Sequence, residues 1–154
     1  MSGGQILFIT DGSTSADLAG NIAMEMALTL KLPFRAVFIL DEGWGNLLGD
    51  EWMSGSTTRI GFLRWLENDL NKHSEEILTA AMEKAKEKGL QIQTEVRVGK
   101  TESLITKLTV ERETALMVLP NPHATAPAAA AGLRFNLNSL TKKVKCPIYI
   151  GPRC

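Results

Sequence analysis

Three polar residues that could do chemistry each stand where a hydrophobic run ends. Asp11 follows the run at 6–9, Asp41 follows the run at 34–40, and His123 lies shortly after the run at 115–119. If the runs are parallel strands, these residues share one sheet edge, where two carboxylates and an imidazole could hold a metal or transfer protons. A solvated loop histidine explains His123 more simply. We therefore expect neither a catalytic site nor a metal site.

The hydrophobic pattern predicts five strands that alternate with four helices. The runs at 6–9, 34–40 and 115–119 are continuous and indicate strands buried on both faces. Residues 91–98 alternate polar and apolar, which indicates an edge strand with one wet face, and residues 147–150 form the last strand.

Helical spacing of apolar residues predicts the segments between the strands. A capping box at residues 14–17 begins the first helix. Gly89 ends the long second helix. His73 lies on or beside the apolar stripe of this helix and is expected to be a packed or half-exposed residue rather than a ligand. The last helix spans 133–144. The apolar face of the first helix is expected to comprise Leu18, Ala19, Ile22, Ala23, Met26, Ala27 and Leu30.

This element order predicts an α/β three-layer sandwich. Strands that alternate with helices pair in parallel through right-handed crossovers, so helices cover both faces of the sheet. The uniformly apolar strands should be central and the third strand should be an edge, which yields a five-stranded parallel sheet of order 3-2-1-4-5. Residues 1–154 are expected to form a single domain, with strands one and four at the switch point where such sheets bind ligands.

A glycine-rich segment at 42–61 is predicted to be a loop that carries Trp44 and Trp52. Long loops of this kind often cover a ligand or a partner surface. The two indoles could equally pack on the long helix beside Trp65. We favour packing, with a dimer contact as the alternative.

Composition excludes several classes of partner. The 17 Lys and Arg residues balance 17 Asp and Glu residues, so the formal charge is zero. The chain therefore lacks the excess of positive charge that binds nucleic acid or an anionic membrane. No apolar stretch is long enough to span a bilayer, and the N-terminus lacks the basic start of a signal peptide. The two cysteines, Cys146 and Cys154, are expected to be reduced thiols in a cytoplasmic protein.

Three segments together resemble the universal stress protein family. Residues 6–13 are similar to its first strand with a terminal Asp, and residues 98–105 to its Gly-containing step into the third helix. Residues 138–150 are similar to its last helix and the Cys-Pro step into an aliphatic strand. The resemblance implies the 3-2-1-4-5 sheet, a homodimer through the C-terminal strand, and a role in stress response rather than catalysis.

The glycine motif by which some members of this family bind ATP is degenerate here. That motif is Gly, two residues, Gly, nine residues, then Gly followed by Ser or Thr. The three glycines of the motif correspond to Pro120, His123 and Asn138, and only the final Ser or Thr is retained, as Ser139. Between His123 and Asn138 this chain has 14 residues, at 124–137, where the motif has nine. Proline has no N–H to offer a phosphate. Asn138 could adopt the left-handed conformation that Gly provides.

The resemblance places other residues beside a nucleotide. Thr10, Asp11 and Gly12 correspond to the end of the first strand, where Asp11 would lie near adenine or ribose. Ile39 and Leu119 would pack on the base. Turn formation is the equal alternative for Asp11, and plain sheet core is the favoured interpretation of Ile39 and Leu119. Ser139 is expected to cap the last helix rather than to act as a nucleophile.

The sequence thus predicts a regulatory or protective protein of the universal stress type that is not an enzyme and not a strong ATP binder. The alternative is an adenine-nucleotide module with a remodelled phosphate loop. ATP or AMP would then be its only cofactor. The expected partners are a second copy of the chain and a further protein, with no nucleic acid and no membrane.

Overall fold

The computed structural model describes residues 4–41, 56–122, 133 and 135–153, and for residues 41 and 56–71 it describes the backbone alone. The elements along the chain are β1 (Gln5–Thr10), α1 (Thr14–Leu30), β2 (Phe34–Asp41), α2 (Ser56–Glu87), β3 (Ile92–Gly99), α3 (Thr101–Glu111), β4 (Thr114–Leu119), α4 (Leu137–Lys143) and β5 (Ile148–Ile150). No helix in these ranges is both long enough and apolar enough to cross a membrane.

The strands form one parallel sheet in the order β3-β2-β1-β4-β5, which confirms the predicted topology. β1 lies at the centre, and each of its six residues is buried. It pairs with β2 on one side and with β4 on the other, so Phe8 lies level with Ala36 and with Val118. A strand covered on both faces and paired on both edges is shielded from water, which explains the continuous apolar run 6–9 between Gln5 and Thr10.

Each face of the sheet carries its own hydrophobic core. The core on the side of α1 and α2 includes Phe8, Phe34, Phe38 and Met24. The core on the side of α3 and α4 includes Leu7, Ile9, Val37, Ile39, Ile105, Leu108, Met117, Leu119 and Leu140. Alternation along β1 and β2 sends successive side chains into the two cores, because neighbouring strand residues point to opposite faces.

The prediction for the buried face of α1 is wrong in part. Leu18, Ile22 and Leu30 are 43%, 40% and 52% exposed, and small residues face the sheet instead: Ala16, Ala19, Gly20, Ala23 and Ala27. Small side chains let α1 approach the sheet closely. A Cβ atom on Gly20 would lie 2.8 Å from the Phe8 ring, so the bulky apolar residues are left on the outer side of the helix.

Two element boundaries also differ from prediction. α2 begins at Ser56, so residues 56–61 of the predicted loop are helical. The polar run Ser56-Thr57-Thr58 suits a helix start, and the cost of Gly61 is small in a helix of 32 residues. α4 begins at residue 137 rather than 133, because Asn136 caps it. Trp44 and Trp52 lie outside the described residues.

Helix α1 is capped by Ser13 and not by the predicted box at 14–17. The Ser13 hydroxyl accepts a hydrogen bond from the Ala16 N–H at 3.1 Å. At the end of α2, Gly89 has φ +74°, a conformation that terminates helices and that other residues adopt at a cost. The predicted role of Gly89 is confirmed.

The edge strand β3 pairs with β2 along its whole length, and charged side chains strengthen its attachment where its valines face away from the core. Val96 and Val98 are exposed, whereas Glu95 and Arg97 are partly covered. The Arg97 guanidinium bonds Glu95 at 2.6 Å and Glu111 of α3 at 2.8 Å. Arg35 of β2, only 8% exposed in its side chain, contacts Glu95 as well. These four residues form a network that holds α3 over β2 and β3.

The network lowers the pKa of Glu95. Partial burial alone would raise this pKa, but hydrogen bonds from Arg97 and Arg35 outweigh the burial. The Arg35 guanidinium depends on Glu95 in turn, since it is buried and its Nη1 has no hydrogen-bond partner. Removal of the Glu95 charge would therefore leave a poorly compensated cation inside the protein.

We predict that Glu95→Gln lowers the free energy of unfolding by about 1–3 kcal/mol, because Arg35 loses its nearer counter-ion and keeps the more distant Glu111, at 3.5 Å. Urea denaturation followed by circular dichroism measures this change. The matched control is Glu83→Gln, which alters an exposed glutamate of α2 and should leave stability within about 0.5 kcal/mol. Equal stability of the two variants would contradict a structural role for the network.

Candidate functional site

The predicted site residues of β1, β2 and β4 lie at the carboxyl edge of three adjacent strands. β1 pairs with β2 and with β4, so Thr10 and Leu119 end neighbouring strands, and Ile39 lies two residues before the end of β2. After β1 the chain continues into α1 on one face of the sheet, and after β4 it continues into α4 on the other face. This divergence makes the edge between β1 and β4 the switch point of the sheet. The helices that follow β3 and β4 also begin at this edge.

The residues after β1 form a tight turn. Thr10 is 1% exposed, and its hydroxyl accepts a hydrogen bond from the Gly12 N–H at 3.1 Å. The Asp11 carboxylate accepts one from the Ser13 N–H at 2.9 Å. Gly12 has φ +78°, which glycine adopts without strain. Asp11 thus performs the turn-forming role, and its partly exposed side chain remains within reach of a ligand.

His73 of α2 packs beneath this turn. Its ring meets Phe38 edge-on with centroids 6.1 Å apart, and a Cβ atom on Gly12 would lie 3.3 Å from its Nε2. The Nε2 atom is buried and has no hydrogen-bond partner. The expected packed histidine is confirmed. A Cβ atom on Gly12 would also crowd Ile77, at 3.1 Å, and the positive φ of Gly12 separately favours glycine.

Ile39 and Leu119 are core residues. Both are 0% exposed and belong to the core beneath α3 and α4. The favoured interpretation of these two positions is therefore supported by their burial. They form the apolar floor of the carboxyl edge on that face, and a planar ring could approach them only from above the strand ends.

Of the segment after β4, the described residues 120–122 offer few backbone donors to an anion. Pro120 and Pro122 have no N–H. The N–H of Asn121, between them, donates to the Ser15 hydroxyl of α1 at 2.9 Å, and the Asn121 amide Nδ2 donates to the Gly151 carbonyl at 3.3 Å. Three successive residues at the place of the phosphate loop are therefore without a free peptide N–H.

At the start of α4, the hydrogen-bond donors are bonded to the carboxylate of Glu102. Glu102 of α3 accepts hydrogen bonds from the Asn136 N–H at 3.1 Å, from the Ser139 hydroxyl at 2.8 Å and from Lys143 at 3.1 Å. The Asn136 bond is the main cause of the lowered pKa of Glu102, followed by the bond from Ser139. An anion placed at Ser139 would meet this negative charge.

Asn138 and Ser139 lie inside α4 and not before it. Asn136 is the N-cap, and its side chain accepts from the Ser139 N–H at 3.0 Å. Ser139 is therefore not the cap that its sequence suggested. Asn138 is an exposed residue of the first helical turn, and its φ is not positive, since among the described non-glycine residues only Lys31 has a positive φ.

The proposed acid–base trio is not assembled by the residues that the structure describes. His123 lies outside them, and of Asp41 only the backbone is described. Within the same ranges, no group of three or more His, Cys, Asp or Glu side chains could hold a metal ion. Cys146 is a partly buried thiol, and desolvation raises its pKa, which makes it less reactive.

Sequence reasoning missed the side chains that organise this edge: Ser15, Asn121 and Glu102. Ser15 lies within a predicted helix start and Asn121 between two prolines, patterns that indicate turns and caps without naming a partner. The partners of Asn121 are 106 and 30 residues away along the chain. Pairing over such distances has no local signal.

The fold and the edge together define the class of protein. The chain is an α/β protein with the fold of the universal stress proteins, as its sequence segments suggested. No protein-family model matches the sequence, and no curated protein is significantly similar to it.

Three solved structures illustrate this likeness. A universal stress protein family member from Burkholderia pseudomallei has 17% identity and a TM-score of 0.66, with 96% of this chain and 94% of that chain covered. A universal stress protein in complex with cAMP has 19% identity and a TM-score of 0.66, with 99% and 100% covered. A family protein from Arabidopsis thaliana with AMP bound has 12% identity and a TM-score of 0.63, with 97% and 92% covered. Identities of this size establish a shared fold.

We predict that Glu102→Gln destabilises the protein by about 1–2 kcal/mol at pH 7, because the neutral amide replaces charge-assisted bonds with weaker ones. The folded-state pKa of Glu102 is lowered, so its stabilising contribution is complete above the unfolded pKa of about 4.3 and is lost as pH falls through the folded value. Thermal or urea unfolding from pH 7 to about pH 3 should show the wild type and Glu102→Gln converging at the acidic end. Glu76→Gln, at an exposed position of α2, is the control. A constant difference at all pH values would contradict this role of the carboxylate.

Proposed function

We propose that this chain is a member of the universal stress protein family that acts by binding rather than by catalysis, and that it is a weak binder of ATP. Family membership is supported by the fold and by the three sequence segments that resemble the family. Its role is regulatory or protective in a cytoplasmic stress response, through contacts with protein partners.

Weak ATP binding is supported by the donors of residues 120–122 and of Ser139, which lie in the described part of the chain and are either missing or already bonded within the protein. After β4, Pro120 and Pro122 have no N–H and the Asn121 N–H is bonded to Ser15. At the start of α4, the Ser139 hydroxyl is bonded to Glu102, whose charge repels an anion. A triphosphate would have to displace these bonds before it gained its own.

We therefore predict a Kd for ATP weaker than about 1 mM in isothermal titration of the purified chain. ADP and AMP in the same buffer provide the matched comparison. A micromolar Kd for ATP would overturn weak ATP binding and leave the family proposal intact.

The alternative is an adenine-nucleotide module that recognises the nucleoside instead of the phosphates. It is favoured by the position of the Asp11 carboxylate above the strand ends and by fold neighbours that hold AMP or cAMP. AMP and ATP should then bind with similar affinity, and Asp11→Asn should weaken both. Mass spectrometry of small molecules released from the native protein would identify a bound nucleotide directly, and its absence together with no thermal shift at millimolar AMP would exclude this alternative.

The proposed assembly is a homodimer through β5. The Met117 N–H donates to the Pro147 carbonyl and the Gly151 N–H donates to the Leu119 carbonyl, so alternate residues of this strand face β4. By the same alternation, the peptide groups of Ile148 and Ile150 point away from β4, toward the open side of the sheet. An unpaired strand edge is a template for a second strand.

A further inference from the structure

Helix α1 carries an apolar ridge on its outer side. Leu18, Ile22, Met26 and Leu30 repeat every four residues and form one row along the helix, the α1 ridge. Three of the four are among the most exposed large hydrophobic residues in the described part of the chain. An open depression of about 360 Å³ runs along the row, lined by Asn21, Ile22, Glu25, Met26, Thr29 and Leu30. Covering such exposed apolar side chains with a partner would be favourable, because it removes apolar surface from water.

The α1 ridge lies on the side of the helix that faces β5. A Cβ atom on Gly151, directly after β5, would lie 2.8 Å from the Ser15 carbonyl and 3.0 Å from the Ala19 Cβ. Ser15 and Ala19 share a helix side with Ile22 and Met26, because residues three, four or seven apart lie above one another. The ridge and the open edge of β5 are therefore neighbouring parts of one surface.

The β5 edge alone is too small for a stable dimer. β5 has three residues, whereas a stable interface buries about 800 Å² on each partner. The missing area must come from a surface beside the strand. The α1 ridge is such a surface, and it is apolar, like the centre of an obligate interface.

The border of the ridge suits a second copy of the same chain. Asn21 and Thr29 are uncharged, and the Glu25 carboxylate is paired with Lys88 at 2.7 Å. The formal charge of the whole chain is zero, so two copies approach without net repulsion. A two-fold axis places the same patch on both subunits, and antiparallel pairing of the β5 edges would leave both α1 helices on one face of the joined sheet.

We propose that the α1 ridge and the β5 edge form one self-complementary interface, in which a second copy of this chain covers Ile22, Met26 and Leu30. This inference rests on the homodimer of the proposed function and adds the surface that supplies most of its apolar area. The two-fold contact excludes water from the ridge and leaves the carboxyl edge of each sheet open.

Sedimentation equilibrium of the full chain tests the inference. Ile22→Glu places a charge in the centre of the ridge and should raise the dimer Kd by about tenfold or more. Val110→Glu is the matched control, since Val110 is a 77% exposed apolar residue on α3, on the other face. Ile150→Pro tests the strand edge separately, because it removes an outward-facing N–H while the bonds to β4 remain. Circular dichroism melts check that each variant is folded, and Ile22→Gln replaces Ile22→Glu if the latter unfolds.

The outcomes separate the inference from the proposal on which it rests. A dimeric wild type that Ile22→Glu dissociates and Val110→Glu does not would support the α1 ridge. A dimer unaffected by the folded Ile22 variant would overturn the inference and leave the homodimer intact. A wild type that is monomeric at millimolar concentration would overturn the homodimer, and the inference with it. Dissociation by Ile22→Glu together with no effect of Ile150→Pro would overturn the shared interface, because it removes β5 from the contact.

Discussion

Enclosure of β1 is the constraint on which the rest of the structure depends. All six of its residues are buried, and it pairs with a parallel strand on each side. Such a strand needs a hydrophobic layer on both faces, so the chain must cross to opposite sides after β1 and after β4. The two crossings create the switch point at the carboxyl ends of these strands. As a consequence, they bring Asn121 beside Asp11 and Ser15, although Asn121 lies 106 residues after Ser15 in the sequence.

The polar groups of this edge are satisfied mainly by the protein itself. Asp11 accepts the Ser13 N–H, Ser15 accepts the Asn121 N–H, and Glu102 binds the start of α4. Buried or partly buried donors need partners whether or not a ligand is present. The same fold is found in proteins solved with AMP and cAMP, and in this chain internal partners occupy these described polar groups. The Glu102 carboxylate binds the donors at the start of α4, and it resembles a phosphate in its negative charge and its acceptor oxygens.

Periodicity predicts topology well because topology depends on which residues are apolar. The continuous runs of β1, β2 and β4 and the alternation of β3 were sufficient for the strand order. Individual site contacts depend on distant partners instead. The Ser139 hydroxyl was assigned to a cap, yet its partner is a glutamate 37 residues away, and the N-cap of α4 is Asn136. The turn at Asp11 and Gly12 was predictable, because its hydrogen bonds span only two residues.

The error over α1 has a different physical origin. Apolar periodicity shows which side of a helix avoids water. It does not show whether that side packs against the protein's own sheet or against another molecule. α1 contains both kinds of row: alanines and Gly20 pack on the sheet, while leucine, isoleucine and methionine stand on the flank beside β5. Small residues permit close approach to the sheet, and large ones supply area for association. The wide apolar face predicted from the sequence is therefore two surfaces. Within the chain, the sheet covers only the surface of small residues.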